Sequence, residues 1–250
     1  MEPQLPFVGM ASEIERLNVA FGAGHPLLLL GPQGSGKTRL IEEALRSHQK
    51  VLYIAWQPTL HALLAAMART LIAAHHPEFL RRAGVPGRSD ANPEAWLAVQ
   101  TSIHLKGLLW TAVEGSPVTM MLDGIARAGF PTYRFLQRIS QTPGVALFAA
   151  SRDAFSLGAL ARLFWNPAQA MNIPPLPERD SGRLFEAAAD HFRLRHLDLD
   201  EFREKVLESA RGNPGQIVEM CRLATQPQYQ VGRYIKFSPL RIDTVMKFAP

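Results

Sequence analysis

The sequence predicts an α/β fold: a three-layer sandwich with a parallel five-stranded sheet, followed by a small all-helical domain. Three observations predict it. Short apolar runs at residues 27–30, 51–56, 118–123, 145–151 and 171–173 alternate with stretches of helical period. Those runs are apolar throughout instead of alternating with polar residues, as expected of strands covered on both faces. After Pro174-Pro175-Leu176-Pro177 the strand runs stop, and helical patterning continues over residues 180–192, 200–211 and 214–224. A chain of 250 residues with 47% apolar and 20% charged content has room for one or two small domains. The same composition excludes a disordered or collagen-like polymer.

Each element has a local reason. Ser12-Glu13-Ile14-Glu15 reads as a capping box, after which Ile14, Leu17 and Phe21 share one helical face. Gly24-His25-Pro26 ends that helix, and the run at 27–30 leads into a glycine-rich turn. Leu40, Ile41, Ala44 and Leu45 form the next helical stripe and residues 51–56 the next strand, giving a right-handed crossover. Helical spacing covers 60–74 and resumes at 96–113. The intervening stretch 77–93 holds three prolines with Gly84 and Gly87 and reads as an inserted loop. A further helix is expected over 157–164. Asn213 as N-cap, Pro214 at the first helical position and Gln216 closing the box announce the last of the three C-terminal helices. The expected domains are 1–176 for the α/β part, 177–225 for the helical part and 226–250 for a basic tail.

Charge and cysteine usage narrow the setting. Lys and Arg number 27 against 22 Asp and Glu, a net +5 that attracts polyanions mildly. A single cysteine, Cys221, forms no internal disulfide, and Met-Glu-Pro-Gln opens the chain without a leader-like pattern. Apolar runs fall far short of the ~20 residues a membrane helix needs. The expectation is a cytoplasmic protein without a membrane partner.

Gly31-Pro32-Gln33-Gly34-Ser35-Gly36-Lys37-Thr38 matches G-x-x-x-x-G-K-[ST] and lies between a predicted strand and a predicted helix, the context this motif requires. Its glycines let successive backbone N–H groups turn inward as an anion nest, and the helix N-terminus adds partial positive charge. Lys37 reaches the outer phosphates, Thr38 offers a hydroxyl to Mg²⁺, and Arg39 continues the nucleotide-binding stretch. Asp123 ends the third strand, where open α/β sheets place ligands and where an acid would hold the metal; a turn-capping Asp is the alternative. The residue after it is Gly124, whereas many such ATPases carry a water-activating Glu there. From the end of the fourth strand either Ser151 or Arg152 could meet the γ-phosphate, Arg152 being the better candidate. Arg162 is a candidate arginine finger for a neighbouring subunit, with an ordinary surface arginine as the alternative. His75-His76 reads as a helix end and Cys221 as core.

These motifs resemble those of the AAA+ and related signal-transduction (STAND) ATPases of the ASCE class of P-loop NTPases. Phe7-Val8-Gly9 with Glu13 is similar to the family's adenine-pocket box, although Met10 stands where an Arg is usual. Gly212-Asn213-Pro214 resembles the lid motif that closes on nucleotide, but Gly215-Gln216 follows where a sensor arginine is common. The resemblance implies a sheet in the order 5-1-4-3-2, a helical lid, Val8 and Pro214 as nucleotide contacts, and ATP/ADP with Mg²⁺ as cofactors. It also implies a switch with slow hydrolysis that forms a homo-oligomer or engages a partner protein in the ATP state. Two other readings stay open: a DNA-associated regulator that oligomerises on DNA, and a nucleotide-binding module without turnover. The tail carries Arg233, Lys236, Arg241 and Lys247 against Asp243, interleaved with apolar residues, so it either docks on the sheet domain or meets an anionic partner.

Overall fold

The protein is described here by a computed structural model over residues 5–48, 50–84, 93–114 and 117–248. In chain order the elements are α1 (Ala11–Ala23), β1 (Leu28–Leu30), α2 (Lys37–Leu45), β2 (Val51–Ala55), α3 (Leu60–Ala73), α4 (Pro77–Ala83), α5 (Pro93–Ala98), α6 (Ser102–Glu114), β3 (Val118–Ile125), α7 (Phe130–Ser140), β4 (Val145–Ser151) and β5 (Ala170–Asn172). Then follow α8 (Glu178–His191), α9 (Asp200–Ala210), α10 (Pro214–Leu223), the two-residue strands β6 (Gln230–Val231) and β7 (Tyr234–Ile235), and α11 (Phe237–Phe248). The chain separates into a sheet unit, Glu15–Leu30 with Ala44–Asn172, and a helical unit, Met1–Ile14 and Gly31–Glu43 with Ile173–Pro250.

In the sheet unit five parallel strands lie in the order β2-β3-β4-β1-β5, the order expected from the sequence motifs. Strand pleating sends alternate side chains to opposite faces. Leu147 and Ala149 of β4 therefore join Ile54, Met120 and Leu122 in a core shared with Leu64 and Leu71 of α3 and Leu109 of α6. Phe148, between them, turns the other way and meets Phe21 of α1 edge-on at 4.6 Å between ring centroids. Both faces being covered explains why the strand sequences carry no polar alternation.

Three local expectations change. Within the stretch 77–93, Pro77–Ala83 is helical; residues 85–92 of that predicted loop lie outside the described residues. Pro77 sits at the first helical position, His76 accepts the Phe79 N–H through its side chain, and Gly84 closes the helix in a left-handed conformation. Proline thus starts this helix, which buries Phe79. The helix expected over 157–164 consists of two 3-10 turns, Phe155–Leu157 and Ala159–Phe164, parted by Gly158 at φ 56°. At the N-terminal end α1 begins at Ala11, after Met10 at φ 60°, so Ser12 lies inside the helix and its hydroxyl bonds Glu13 instead of capping.

The helical unit packs α8, α9, α10 and α11 around Phe185, Val206, Met220, Cys221 and Leu240. Asn213 caps α10 as predicted, accepting the Gln216 N–H at 3.1 Å. Cys221 is buried, and desolvation pushes its thiol up to about 12. The tail docks within this unit: α11 buries Leu240 and Thr244 against α9 and α10. Tyr229 donates a hydrogen bond to Asp243. Glu219 of α10 is a buried carboxylate held by Arg222 at 2.7 Å and by Lys247 of α11 at 2.8 Å. Lys247 is therefore an internal clasp and not a free cation of the tail.

Hydrogen bonds from Arg222, followed by those from Lys247, hold the Glu219 carboxyl at about 2, below its usual 4.5. A folded-state pKa below the unfolded value contributes stability above pH ~4.5 that is lost as pH falls toward 2. Glu219→Gln should lower stability at neutral pH by about 1–3 kcal/mol. Chemical denaturation at a series of pH values should also show a flatter acid limb for the variant; an unchanged acid limb would remove the clasp from the stability of this unit.

Candidate functional site

The loop from Gly31 to Thr38 is shaped by two residues that require positive φ, Gly34 at 80° and Gly36 at 89°. A Cβ at Gly34 would stand 2.5 Å from a ring carbon of Phe248 and 2.6 Å from Oδ1 of Asn213. The side chains of Phe248 and Asn213, as well as the backbone conformation, leave no room for a side chain there. Lys37, the first residue of α2, folds its ammonium back over the loop, donating to the carbonyl oxygens of Gly31 at 2.6 Å and Pro32 at 3.0 Å and to Oγ of Ser35 at 3.3 Å. Thr38 follows at the exposed start of the helix. Arg39 is turned aside: it donates to the Leu5 carbonyl at 3.0 Å and pairs with Glu42.

The predicted lid motif lies directly on this loop. Asn213 donates through Nδ2 to the Gln33 carbonyl at 2.9 Å, and the Gly215 N–H donates to the Gly34 carbonyl at 2.8 Å. At Gly215 a Cβ would come within 2.6 Å of Gly34 Cα, so glycine is the only residue that permits this approach. Val8, Gly34, Gly36, Lys37, Thr38, Arg39 and Pro214 line one cavity of about 660 Å³. That volume is within the ~300–1,000 Å³ usual for small-molecule sites. The sequence reading missed part of this wall: Leu176, Leu184 and Val218 supply apolar surface, while Glu219, Lys247 and Phe248 close one side. Helical apolar spacing marks Leu184 and Val218 only as core, and no local signal marks Phe248. The residues fit a nucleotide in kind: a cradle of backbone N–H groups, an ammonium, a hydroxyl and apolar walls.

In the sheet unit Asp123 is buried near the carboxyl end of β3, the position expected of it. Tyr53 of β2 donates its hydroxyl to Asp123 Oδ2 at 2.9 Å, a partner that no motif marks. Gly124 takes φ 75°, and the β3–β4 register shifts between Leu122 and Ile125. This bulge is pinned by Ser151, whose buried hydroxyl donates to the Ile125 carbonyl at 2.8 Å. Of the two candidates at the end of β4, Ser151 is thus occupied structurally, which leaves Arg152, half-buried, as the candidate. Arg162 is exposed on the second 3-10 turn, its guanidinium 6.0 Å from the Tyr133 ring centroid. Among the described residues no group of three or more His, Cys, Asp and Glu side chains could hold a metal ion, in line with His76 acting as a cap. No helix among them is long and apolar enough to cross a membrane.

The family model of an AAA ATPase domain matches residues 6–198. Comparison with curated proteins gives no match. Among solved structures, Cdc6p from Pyrobaculum aerophilum aligns over 90% of this chain and 63% of its own, with a TM-score of 0.58 and 14% identity. A Walker-type ATPase of Pyrococcus abyssi aligns over 99% of this chain and 75% of its own, again at 0.58 and 14%. A STAND protein with a tetratricopeptide repeat sensor from Pyrococcus horikoshii aligns over all of this chain but 34% of its own, at 0.52 and 16%. This chain therefore spans under two thirds of the Cdc6p chain and about a third of the STAND protein. At such identities the likeness is one of fold, whereas the family match covers most of the sequence: the chain belongs to the AAA ATPase domain family of P-loop ATPases.

Proposed function

We propose that the chain binds ATP or ADP with Mg²⁺ at residues 31–39 and acts as a slow nucleotide-dependent switch. The observation that carries this reading is the pair of hydrogen bonds joining Gln33 and Gly34 to Asn213 and Gly215. A ligand that reshapes the loop changes the partners of the helix that follows, so occupancy of the loop is coupled to the position of α10. In this reading the boundary near residue 177 separates the nucleotide-binding part from a lid of residues 177–225. The loop N–H groups and Lys37 hold the phosphates, with the ammonium exchanging loop carbonyl oxygens for phosphate oxygens. Val8 and Pro214 border the base. Thr38 and Asp123 offer the hard oxygen donors that Mg²⁺ prefers. Bound Mg²⁺ supplies charge neutralisation on the phosphates. Arg152 would stabilise charge at the γ-phosphate in its own chain, and Arg162 would do so for a neighbouring copy, which makes a homo-oligomer or a partner protein part of the ATP state.

Slow turnover follows from Gly124. At φ 75° this position is left-handed, and among the described residues beyond its chain neighbours no atom lies within 4 Å of where a Cβ would point. A side chain there has space but pays roughly 1–2 kcal/mol of backbone strain.

Lys37→Ala should weaken ATP binding by at least about tenfold in calorimetry, since one charge-assisted contact is worth ~1.5–3 kcal/mol. Undiminished affinity would sink the assignment of this loop. Asp123→Asn should lower Mg²⁺-dependent hydrolysis by about tenfold or more, while ATP affinity measured without Mg²⁺ stays within about twofold. Equal loss in both assays would make Asp123 structural. Gly124→Glu should raise kcat at some cost in thermal stability, as read by phosphate release and a melting curve. A folded variant with unchanged kcat would mean that another group positions the water.

A further inference from the structure

The charge of this chain is not spread evenly. Residues 124–169 contain five arginines, Arg127, Arg134, Arg138, Arg152 and Arg162, and a single acid, Asp153. The net charge of the whole protein is +5, so this stretch accounts for most of the excess. Three of the five gather on one surface of the sheet unit. Phe130 opens α7 and lies 5.9 Å from the Tyr133 ring, with the Arg134 guanidinium 5.2 Å above it. Arg162 reaches over the same Tyr133. Ala128 and Gly158 form an isolated bridge, and a Cβ at Gly158 would be 3.5 Å from Cγ of Arg127. The bridge thereby joins the segment before α7 to the 3-10 turn that carries Phe155, whose carbonyl accepts the Gly158 N–H at 3.1 Å. Arg127, Arg134 and Arg162 are exposed, and no carboxylate among the described residues forms an ion pair with any of them.

The aromatic residues on this surface are as unusual as its charge. Phe155 is 92% exposed and Phe130 56%, and Trp165, just after the second 3-10 turn, is 80% exposed. Large apolar side chains this open are costly on a surface with no ligand, and the unpaired arginines among them favour an anionic one. Guanidinium groups beside exposed aromatic rings match a polyanion that carries flat π-systems, with phosphates for the arginines and unpaired bases for the rings. The basic tail is the poorer candidate. Lys247 is clasped by Glu219 and Tyr229 is bound to Asp243, which leaves Tyr234 as the tail's one strongly exposed ring among the described residues, against three on the sheet unit.

We propose that the surface formed by Arg127, Phe130, Arg134 and Phe155 binds single-stranded nucleic acid, with phosphates on the two arginines and bases stacked on Phe130 and Phe155. This inference stands apart from the nucleotide site and does not require it.

Fluorescence anisotropy tests it with the full chain and a labelled oligothymidine spanning at least two site sizes of about 16 nucleotides, over a salt series, with a duplex of equal length beside it. The expected result is binding at low salt that favours the single strand. Arg127→Ala/Arg134→Ala should reduce the slope of log affinity against log salt by about 1.4, at ~0.7 per phosphate contact. Phe130→Ala/Phe155→Ala should weaken binding by about 30-fold or more with the slope unchanged, because two stacking platforms are lost and stacking releases no counterions. Arg233→Ala/Lys236→Ala in the tail should leave both quantities as they are. Circular dichroism and melting curves establish that the variants fold, and Arg127→Lys/Arg134→Lys, which keeps the charge, should retain the slope. Absence of binding at low salt overturns the proposal, and so does preference for the duplex. It is equally overturned if the arginine variant binds oligothymidine normally but loses an oligomeric state in sedimentation, since the face would then meet a second copy of the chain.

Discussion

Leu28–Leu30 pairs along both edges, with β4 on one side and β5 on the other, and has only three residues in which to do so. A strand this short, paired on both sides, is held by its neighbours more than by its own propensity. Its end is also fixed: Gly31 follows at once, and a Cβ there would stand 2.7 Å from the Ser35 hydroxyl. The loop follows β1 directly in the chain and turns by placing Gly34 and Gly36 at φ 80° and 89°, a region that favours glycine. The cavity of the helical unit, the stance of Lys37 and the seat of the 213–215 segment all depend on that turn.

A second constraint operates at the end of β3. The bulge between Leu122 and Ile125 re-aims the strand just where Asp123 needs to be held, and Ser151 from the adjacent strand anchors the displaced carbonyl. Bulges commonly perform this re-aiming next to functional sites. One consequence is a division of labour between two polar residues at neighbouring strand ends: Asp123 is oriented by Tyr53 and remains an acceptor, while Ser151 spends its proton on the backbone. The left-handed Gly124 belongs to the same bend, so the residue following Asp123 is chosen by backbone geometry as well as by chemistry.

The parts of this architecture legible in the sequence are those with short-range causes. The apolar runs gave five strands, the glycine spacing gave the loop, and Asn213-Pro214 gave the start of α10 to the residue. What escaped has long-range causes. Glu219 appears in sequence as a charge on an otherwise apolar face with only Arg222 beside it, and the second cation that shares its burial, Lys247, arrives from α11. Tyr53 lies on a strand that reads as uniformly buried, and its role needs Asp123, 70 residues further on. Pro77 was misleading for a different reason: proline disfavours a helix interior but suits its first turn, and the capping His76 beside it is a weaker signal than Ser, Thr or Asp.

Cys221 is the only cysteine in the chain, and it lies fully inside the helical unit with its thiol pushed up to about 12. Thiolate, the reactive form, is therefore scarce at neutral pH, and reagents in solvent have no path to the sulfur while the unit is closed. The rate at which Cys221 becomes modified is consequently a clock for opening of the helices that carry α10, on the timescale of sub-global unfolding. No engineered probe is needed to read it. The same inertness allows cysteines introduced on the surface, one on α10 and one on the sheet unit, to be labelled selectively, so that their separation can be followed in solution with Cys221 left in place.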